Sequence, residues 1–266
     1  MARALSSKHN KLAEKPEVFM PDNLSVGEAP STWGIISHDD LPDPADVLKH
    51  PQTVSHQTYS YQSGDVTVTC KVLYAEQFQA LRRSCDCDQI MIESLARCIK
   101  WDAAGGKSGS AFLRTRDERF IAKELSRQEA DDMGKFAPKY FDYMSSALSE
   151  GRPSVLAKLF GFYQISLKNP MAGKSVKMNL LVMENLLYDR KFAHVYDLKG
   201  LTRGRKVRKT GRENEVLLDE NLVQEHAKRI LRTAIWNDTQ FLEDANVMDY
   251  SMVVGVDNTK NQLVIG

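Results

Sequence analysis

The sequence predicts a two-lobed α+β fold, with an antiparallel sheet in the first lobe and mixed elements in the second. Three observations lead there. Alternating apolar segments come in pairs around short polar turns. Segments with helical spacing fall in blocks between those pairs. Strands and helices do not alternate one for one, as a wound parallel sheet requires. At 266 residues the chain is long enough for one large domain or two lobes around a substantial core.

Residues 1–52 are polar, carry prolines at 16, 21, 30, 42, 44 and 51, and show little periodicity, so a disordered lead-in is expected. From Thr58, "TYSYQSGDVTVTCKVLY" has two alternating arms around Ser63, Gly64 and Asp65, the pattern of a hairpin. "AEQFQALRRSC" follows with helical spacing, placing Phe78, Leu81 and Ala75 on one face. "QIMIESLARCI" predicts a second helix with Ile90, Ile92, Leu95 and Ile99 inward. "SAFLRTR" and "RFIAKEL" flank Asp117 and Glu118 as another hairpin. Ser126 stands three residues before Glu129, the spacing of a capping box, so a helix starts there. Pro138 is expected to end or bend it, with "KYFDYMSSAL" continuing as helix.

"LAKLFGFYQISL" and "KMNLLVMENLL" read as strands joined by the turn "KNPMAGKS". "AHVYDLKG" is a short strand, and "RGRKVRKTGRENE" is basic and irregular. "LDENLVQEHAKRILRTAIWNDTQFLEDA" is a long helix with Leu222, His226, Ile230 or Arg229, and Ala234 along one face. "SMVVGVD" and "NQLVIG" close the chain as a hairpin.

The net charge of +1 gives no global attraction to nucleic acid, so any preference for anions is local. The four cysteines, Cys70, Cys85, Cys87 and Cys98, form no CxxC pair and have no histidine pair at zinc spacing. That argues against a zinc site and fits a reducing compartment. No apolar run approaches the roughly 20 residues that span a bilayer. "MARALSSKHNKLAEKPEVF" lacks a signal-peptide core, so a soluble or surface-bound protein is expected.

The stretch "GGKSGSAFLRTRDERFIAK" carries the chemistry. Gly105, Gly106 and Gly109 let backbone N–H groups approach a phosphate, and Ser108 and Ser110 add hydroxyl donors. A plain flexible connector is the competing reading of the loop alone. A P-loop is excluded by spacing, since its first glycine falls on Trp101. Lys123 alternates with Ile121, which points both inward, and a lysine so placed needs a carboxylate or a nucleotide phosphate. A phosphate loop at a hairpin with a lysine on the next strand is the logic of a kinase. Protein-kinase GxGxxG, HRD and DFG motifs are absent.

"GGKSGSAF", "RFIAKEL", "FAPKYFDYM", "LLVMENL", "YDLKGLTRGRKV", "VLLDENL" and "NVMDYSMVVGVD" together resemble the phosphatidylinositol phosphate kinase family, over roughly residues 59–266. "CKVLYAEQFQALRRSC" and "SLARCIKWDAAGGKSGSAF" are similar to its type III branch, the phosphatidylinositol-3-phosphate 5-kinases. The FYVE finger and chaperonin-like domain of that branch are not in this sequence. The resemblance implies a kinase-like fold akin to SAICAR synthase, with an N-lobe at about 53–183 and a partial C-lobe from 184.

By position, Lys123 matches the lysine on the ATP phosphates, and Lys107, Ser108, Gly109 and Ser110 match the loop that covers them. Met183, Glu184 and Asn185 match the hinge whose backbone holds adenine. Asp197 and Lys199 lie in the family's DLKG motif near the nucleotide. Asp249 matches the catalytic-loop aspartate that orients the inositol hydroxyl, and it is this chain's candidate metal ligand. Leu201 stands where the family has serine. Arg203, Arg205, Lys206, Arg208, Lys209 and Arg212 form a basic run, which reads alone as a solvated loop and beside a lipid-kinase site as a surface for an anionic headgroup and membrane.

The implied reaction is transfer from ATP, with Mg²⁺ or Mn²⁺, to the 5-hydroxyl of phosphatidylinositol 3-phosphate. The implied setting is the cytosolic face of an endosomal or vacuolar membrane, with scaffold and regulatory proteins as partners. The family continues past the position of Gly266 into a strand bearing a metal-binding aspartate and a loop that selects the lipid. The expectation is therefore a catalytic domain cut short. An inactive remnant that binds nucleotide or phosphoinositide is the rival, and a protein kinase a third reading.

Overall fold

A computed structural model describes residues 42–49, 55–101, 111–171, 173–190, 192, 194–199, 225–248, 250–257 and 262–266. Seven strands form an antiparallel sheet: β1 (Gln57–Ser63), β2 (Val66–Leu73), β3 (Cys98–Trp101), β4 (Phe112–Thr115), β5 (Phe120–Leu125), β6 (Leu159–Asn169) and β7 (Lys174–Glu184). Their spatial order is β1-β2-β6-β7-β5-β4-β3. A second, three-stranded sheet holds β8 (His194–Lys199), β9 (Ser251–Asp257) and β10 (Gln262–Ile265) in the order β10-β9-β8. The helices are α1 (Pro44–Lys49), α2 (Ala75–Ser84), α3 (Asp88–Leu95), α4 (Arg127–Ser149) and α5 (Glu225–Asp244).

The first sheet packs its apolar residues against α2 and α4. Phe78 and Phe141 meet edge to face at 4.9 Å, and Tyr140, Phe162, Leu81 and Val182 are sealed around them. Helix α1 lies inside the stretch expected to be disordered. Asp43 caps it through a bond from the Ala45 amide at 2.8 Å, Pro44 opens it, and Leu48 is wholly buried. The lead-in, expected to be mostly disordered, thus holds one short helix; residues 1–41 and 50–54 lie outside the described ones.

Helix α3 buries Met91, Ser94 and Leu95, while Ile90 and Ile92 face solvent. Leu95 is buried as expected, and Ser94, not expected inward, is buried with its hydroxyl donating to Asp117 at 2.5 Å. Cys98 and Ile99, expected at the end of that helix, instead open β3, which pairs with β4. Helix α5 buries Ala234, Asp238 and Leu242, the continuation of the expected stripe, whereas His226, Arg229 and Ile230 are exposed. Leu222 lies outside the described residues.

Pro138 does not end α4, which runs through it. A proline has no N–H, so the carbonyl four residues back, on Gly134, loses its helical donor. The Tyr74 hydroxyl supplies the replacement, donating to the Gly134 oxygen at 2.8 Å. Tyr74 reaches it from a left-handed backbone position, φ 52°, just before α2.

Two substitutions test this account of α4. Tyr74→Phe leaves that carbonyl without a partner and lowers stability by about 1–2 kcal/mol in denaturant unfolding. Gly134→Ala meets nothing within 4 Å. It raises stability by about 0.5–1 kcal/mol, because alanine loses less backbone freedom in a helix.

Candidate active site

The site begins with Lys123 in the middle of β5. Its alternation is real, but the buried face of β5 carries Phe120 and Ala122, while Ile121 and Lys123 are half-buried on the other side. The expectation that Lys123 points into the core is corrected accordingly. Across the ladder Lys123 sits opposite Phe112 of β4 and Leu181 of β7, and Ile121 opposite Met183. The resulting patch sets Lys123 and Ile121 among Phe112, Leu181 and Met183, with Arg114 opposite Ile121.

The anion that this ammonium needs is Glu129. The Lys123 Nζ donates to Glu129 Oε1 at 2.8 Å. The other carboxylate oxygen accepts the Ser126 amide at 2.8 Å, and the Ser126 hydroxyl accepts the Glu129 amide at 3.2 Å. The capping box thus fixes the first turn of α4 and holds Glu129 facing the strand. Glu129 was legible as a capping residue and missed as a site residue. Its carboxyl is held down to about 2, first by the Lys123 bond and next by the Ser126 amide.

The glycine-rich loop bridges two antiparallel partners, β3 and β4, with Trp101 opposite Phe112. Phe112, directly across from Lys123, follows the loop almost at once. The Glu124 amide also donates to the Ala111 oxygen at 2.8 Å. The root of the loop is therefore anchored beside the lysine. Lys107, Ser108, Gly109 and Ser110 themselves lie outside the described residues.

At the end of β7 the chain is bonded on both sides. The Glu184 amide donates to the Lys158 oxygen at 3.0 Å, and the Lys158 amide donates to Glu184 Oε1 at 2.6 Å. The Asn185 amide donates to the Arg119 oxygen at 2.9 Å, and its side-chain amide to the Glu118 oxygen at 2.6 Å. The Leu187 amide bonds back to Asn185 Oδ1 at 3.1 Å and the Tyr188 amide to the Asn185 oxygen at 3.0 Å. Arg119 lies over the Tyr188 ring, 4.8 Å from its centroid. The N–H groups of Glu184 and Asn185, expected to face adenine, are thus already engaged within the protein. Among the described residues, the amide of Leu186, between them and Leu187, has no such bond.

The second sheet brings the DLKG and MDYS segments side by side. Asp197 pairs in register with Val253 and Lys199 with Ser251, two residues after Asp249. Asp249 lies outside the described residues, as does the whole basic run from Arg203 to Arg212. The turn that leads into MDYS is defined. The Val247 amide donates to the Leu242 oxygen at 2.8 Å and the Asn246 amide to the Glu243 oxygen at 2.9 Å, around Asn246 at φ 57°. That is a Schellman stop, which ends α5 and turns the chain toward β9.

Burial pushes all four thiols up, and Cys87, with Cys85 beside it, reaches about 12. Among the described residues no three His, Cys, Asp or Glu side chains gather as a metal set. No helix among them is long and apolar enough to cross a membrane.

Residues 97–264 match the family described as Phosphatidylinositol-4-phosphate 5-Kinase. The chain is 48% identical over 226 residues to 1-phosphatidylinositol 3-phosphate 5-kinase FAB1 of Saccharomyces cerevisiae, covering 81% of this chain and 10% of that protein. It is 47% identical over 211 residues to 1-phosphatidylinositol-3-phosphate 5-kinase FAB1A of Arabidopsis thaliana, covering 75% and 12%. Against 1-phosphatidylinositol 3-phosphate 5-kinase of Homo sapiens it is 39% identical over 276 aligned residues, covering 98% and 13%. The chain thus spans about a tenth of the length of these relatives.

The Lys123–Glu129 pair makes a prediction about acid. Glu129 ionises more readily in the folded chain than at its ordinary value of 4.5. Its contribution to stability is therefore complete above about pH 4.5 and fades as pH falls toward 2. Urea unfolding followed from about pH 5 to pH 2.5 should lose stability more steeply in the natural chain than in Glu129→Gln. Parallel losses would contradict the pair.

Proposed function

The chain belongs to the phosphatidylinositol-4-phosphate 5-kinase family, and we propose that its reaction is transfer of the ATP γ-phosphoryl group to the 5-hydroxyl of phosphatidylinositol 3-phosphate. The observation that carries this reading is Lys123 bonded to Glu129 directly across the ladder from the root of the glycine-rich loop. The names of the relatives support the lipid and the position of transfer.

Lys123 holds the phosphate tail of ATP. One of its three N–H groups is spent on Glu129 and the others are free to donate. Because Glu129 is itself fixed by the helix cap, the ammonium is held in place before ATP arrives, which lowers the reorganisation needed in the transition state. Lys107, Ser108, Gly109 and Ser110 close over the same phosphates with backbone and hydroxyl donors. Ile121, Leu181 and Met183 give adenine an apolar floor, and the Leu186 amide is the donor we assign to its ring in place of Glu184 or Asn185.

Asp249 orients the 5-hydroxyl and accepts its proton as the oxygen attacks the γ-phosphorus, whose bond to the bridging oxygen breaks to release ADP. Lys199, in register beside that segment, offsets charge on the reacting phosphoryl group. Asp197 is assigned to the same nucleotide-facing strand. Mg²⁺ or Mn²⁺, when bound, would supply positive charge to offset that of the nucleotide phosphates. By its match to the family's motif, Asp249 is the residue of this chain that would hold it. We place the division into lobes at about residue 184, a reading supported by the end of β7 at Glu184 and the start of β8 at His194.

Membrane attachment falls to Arg203, Arg205, Lys206, Arg208, Lys209 and Arg212, each contributing about 1 kcal/mol near an anionic bilayer. The proposed setting is the cytosolic face of endosomal or vacuolar membrane, with scaffold and regulatory proteins nearby.

Labelled ATP offered with phosphatidylinositol 3-phosphate, phosphatidylinositol or a peptide decides the function. Label entering the first lipid at the 5-position is expected; label in peptide alone, or none in any acceptor, overturns the reading. In an active sample, Lys123→Met should lower kcat/KM at least about 100-fold, and Asp249→Asn should lower kcat by a similar factor. Neutralising the six basic residues should weaken binding to anionic vesicles while leaving ATP affinity unchanged.

A further inference from the structure

Resting on the kinase reading above, we infer that Asp238 is a positioning residue that fixes three parts of the site relative to one another. It is an unexpected residue for its place. On the buried stripe of α5, between Ala234 and Leu242, it is a carboxylate only 4% exposed. Its Oδ1 accepts the Tyr143 hydroxyl of α4. Its Oδ2 accepts the Val155 amide at 2.7 Å. One buried group therefore joins α5, α4 and the segment between α4 and β6.

Each of those three elements leads to a working part. Helix α4 carries Glu129, the partner of Lys123, about 21 Å up the helix from Tyr143 at 1.5 Å per residue. The segment from Val155 runs to Lys158 and Leu159, where Lys158 is bonded to Glu184 at the end of β7 and the Leu159 amide donates to the Tyr140 hydroxyl at 2.8 Å. Helix α5 ends in the Schellman turn before Asp249. Neighbouring contacts keep the three elements from sliding. Tyr143 stacks on Phe241 at 4.3 Å, Asn237 donates to the Pro153 oxygen at 3.3 Å, and Lys139 donates to the Asp244 oxygen at 3.1 Å.

A buried carboxylate is costly where stability alone is wanted, since an apolar residue of similar size packs there without desolvating a charge. What the carboxylate adds is direction: two oxygens, each with a different donor from a different element. Both oxygens of Asp238 are taken by protein donors. It acts through the placement of Glu129, of the β7 end and of the segment bearing Asp249.

Substitution separates this role from ordinary packing. Asp238→Asn can keep both contacts: its oxygen takes the Val155 amide and its NH₂ faces the Tyr143 hydroxyl, which turns to accept. Asp238→Ala loses both. Tyr143→Phe keeps the stack on Phe241 and loses one. The full chain is assayed for kcat, ATP KM, melting temperature and the rate at which an amine-acylating reagent modifies Lys123.

The expected order of kcat per folded molecule is natural chain, then Asn within about threefold, then Phe about tenfold down, then Ala at least about thirtyfold down, with ATP KM changing less than kcat. Lys123 acylation should rise several-fold in Ala and Phe as Glu129 loosens. If Ala does not fold, Phe decides. Unchanged kcat per folded molecule and unchanged Lys123 acylation in Phe and Ala, with only melting affected, overturn the inference. The acylation rate also distinguishes the two claims, because it reports coupling even if no lipid is phosphorylated.

Discussion

An ammonium on the half-buried face of a sheet is stable only with an anion in reach, and the arrangement of this molecule follows from how that anion is supplied. Lys123 finds it in Glu129, at the first turn of the helix that leaves the same strand. The cap that starts α4 is also the clamp that aims Glu129, since Ser126 bonds to both its backbone and its carboxylate. Helix start and ion pair are therefore one structure. Displacing α4 moves the charge that holds the lysine.

This dependence explains why so much of the fold is concerned with α4. Pro138 breaks its hydrogen-bond ladder, and Tyr74 repairs the break from outside. Asp238 and Phe241 hold its second half against α5. Tyr140 reaches across to the start of β6. The sheet contributes the other half: register places Phe112, at the foot of the glycine-rich loop, across from Lys123, and Met183 across from Ile121. The ion pair is only modestly shielded, so its worth lies in orientation more than in stability.

Much of this was readable from the residues. The hairpins, the capping box and the lysine on an alternating strand are local patterns, and local patterns survive folding. What escaped detection depends on distant partners. Ser94 enters the core because Asp117, in a later turn, accepts its hydroxyl, so the face of α3 could not be phased from "QIMIESL" alone. Asp238 reads as a solvent residue until Tyr143 and Val155 are seen to bond it. The residues at the end of β7 read as a hinge, but which amides are free is decided by the carbonyls of Lys158 and Arg119. The short helix from Pro44 was hidden by a proline-rich surround, although Asp43 and Pro44 are a good helix start.

The central claim is that Lys123 and Glu129 act as one unit on the phosphates of the nucleotide. A double-mutant cycle on ATP affinity tests it most directly, using Lys123→Met, Glu129→Gln and both together. The account predicts strong coupling: once Lys123 is gone, removing the Glu129 charge costs little more, so the double variant binds ATP about as weakly as Lys123→Met alone. Independent, additive losses would mean that Glu129 serves only the helix cap, and would contradict the account.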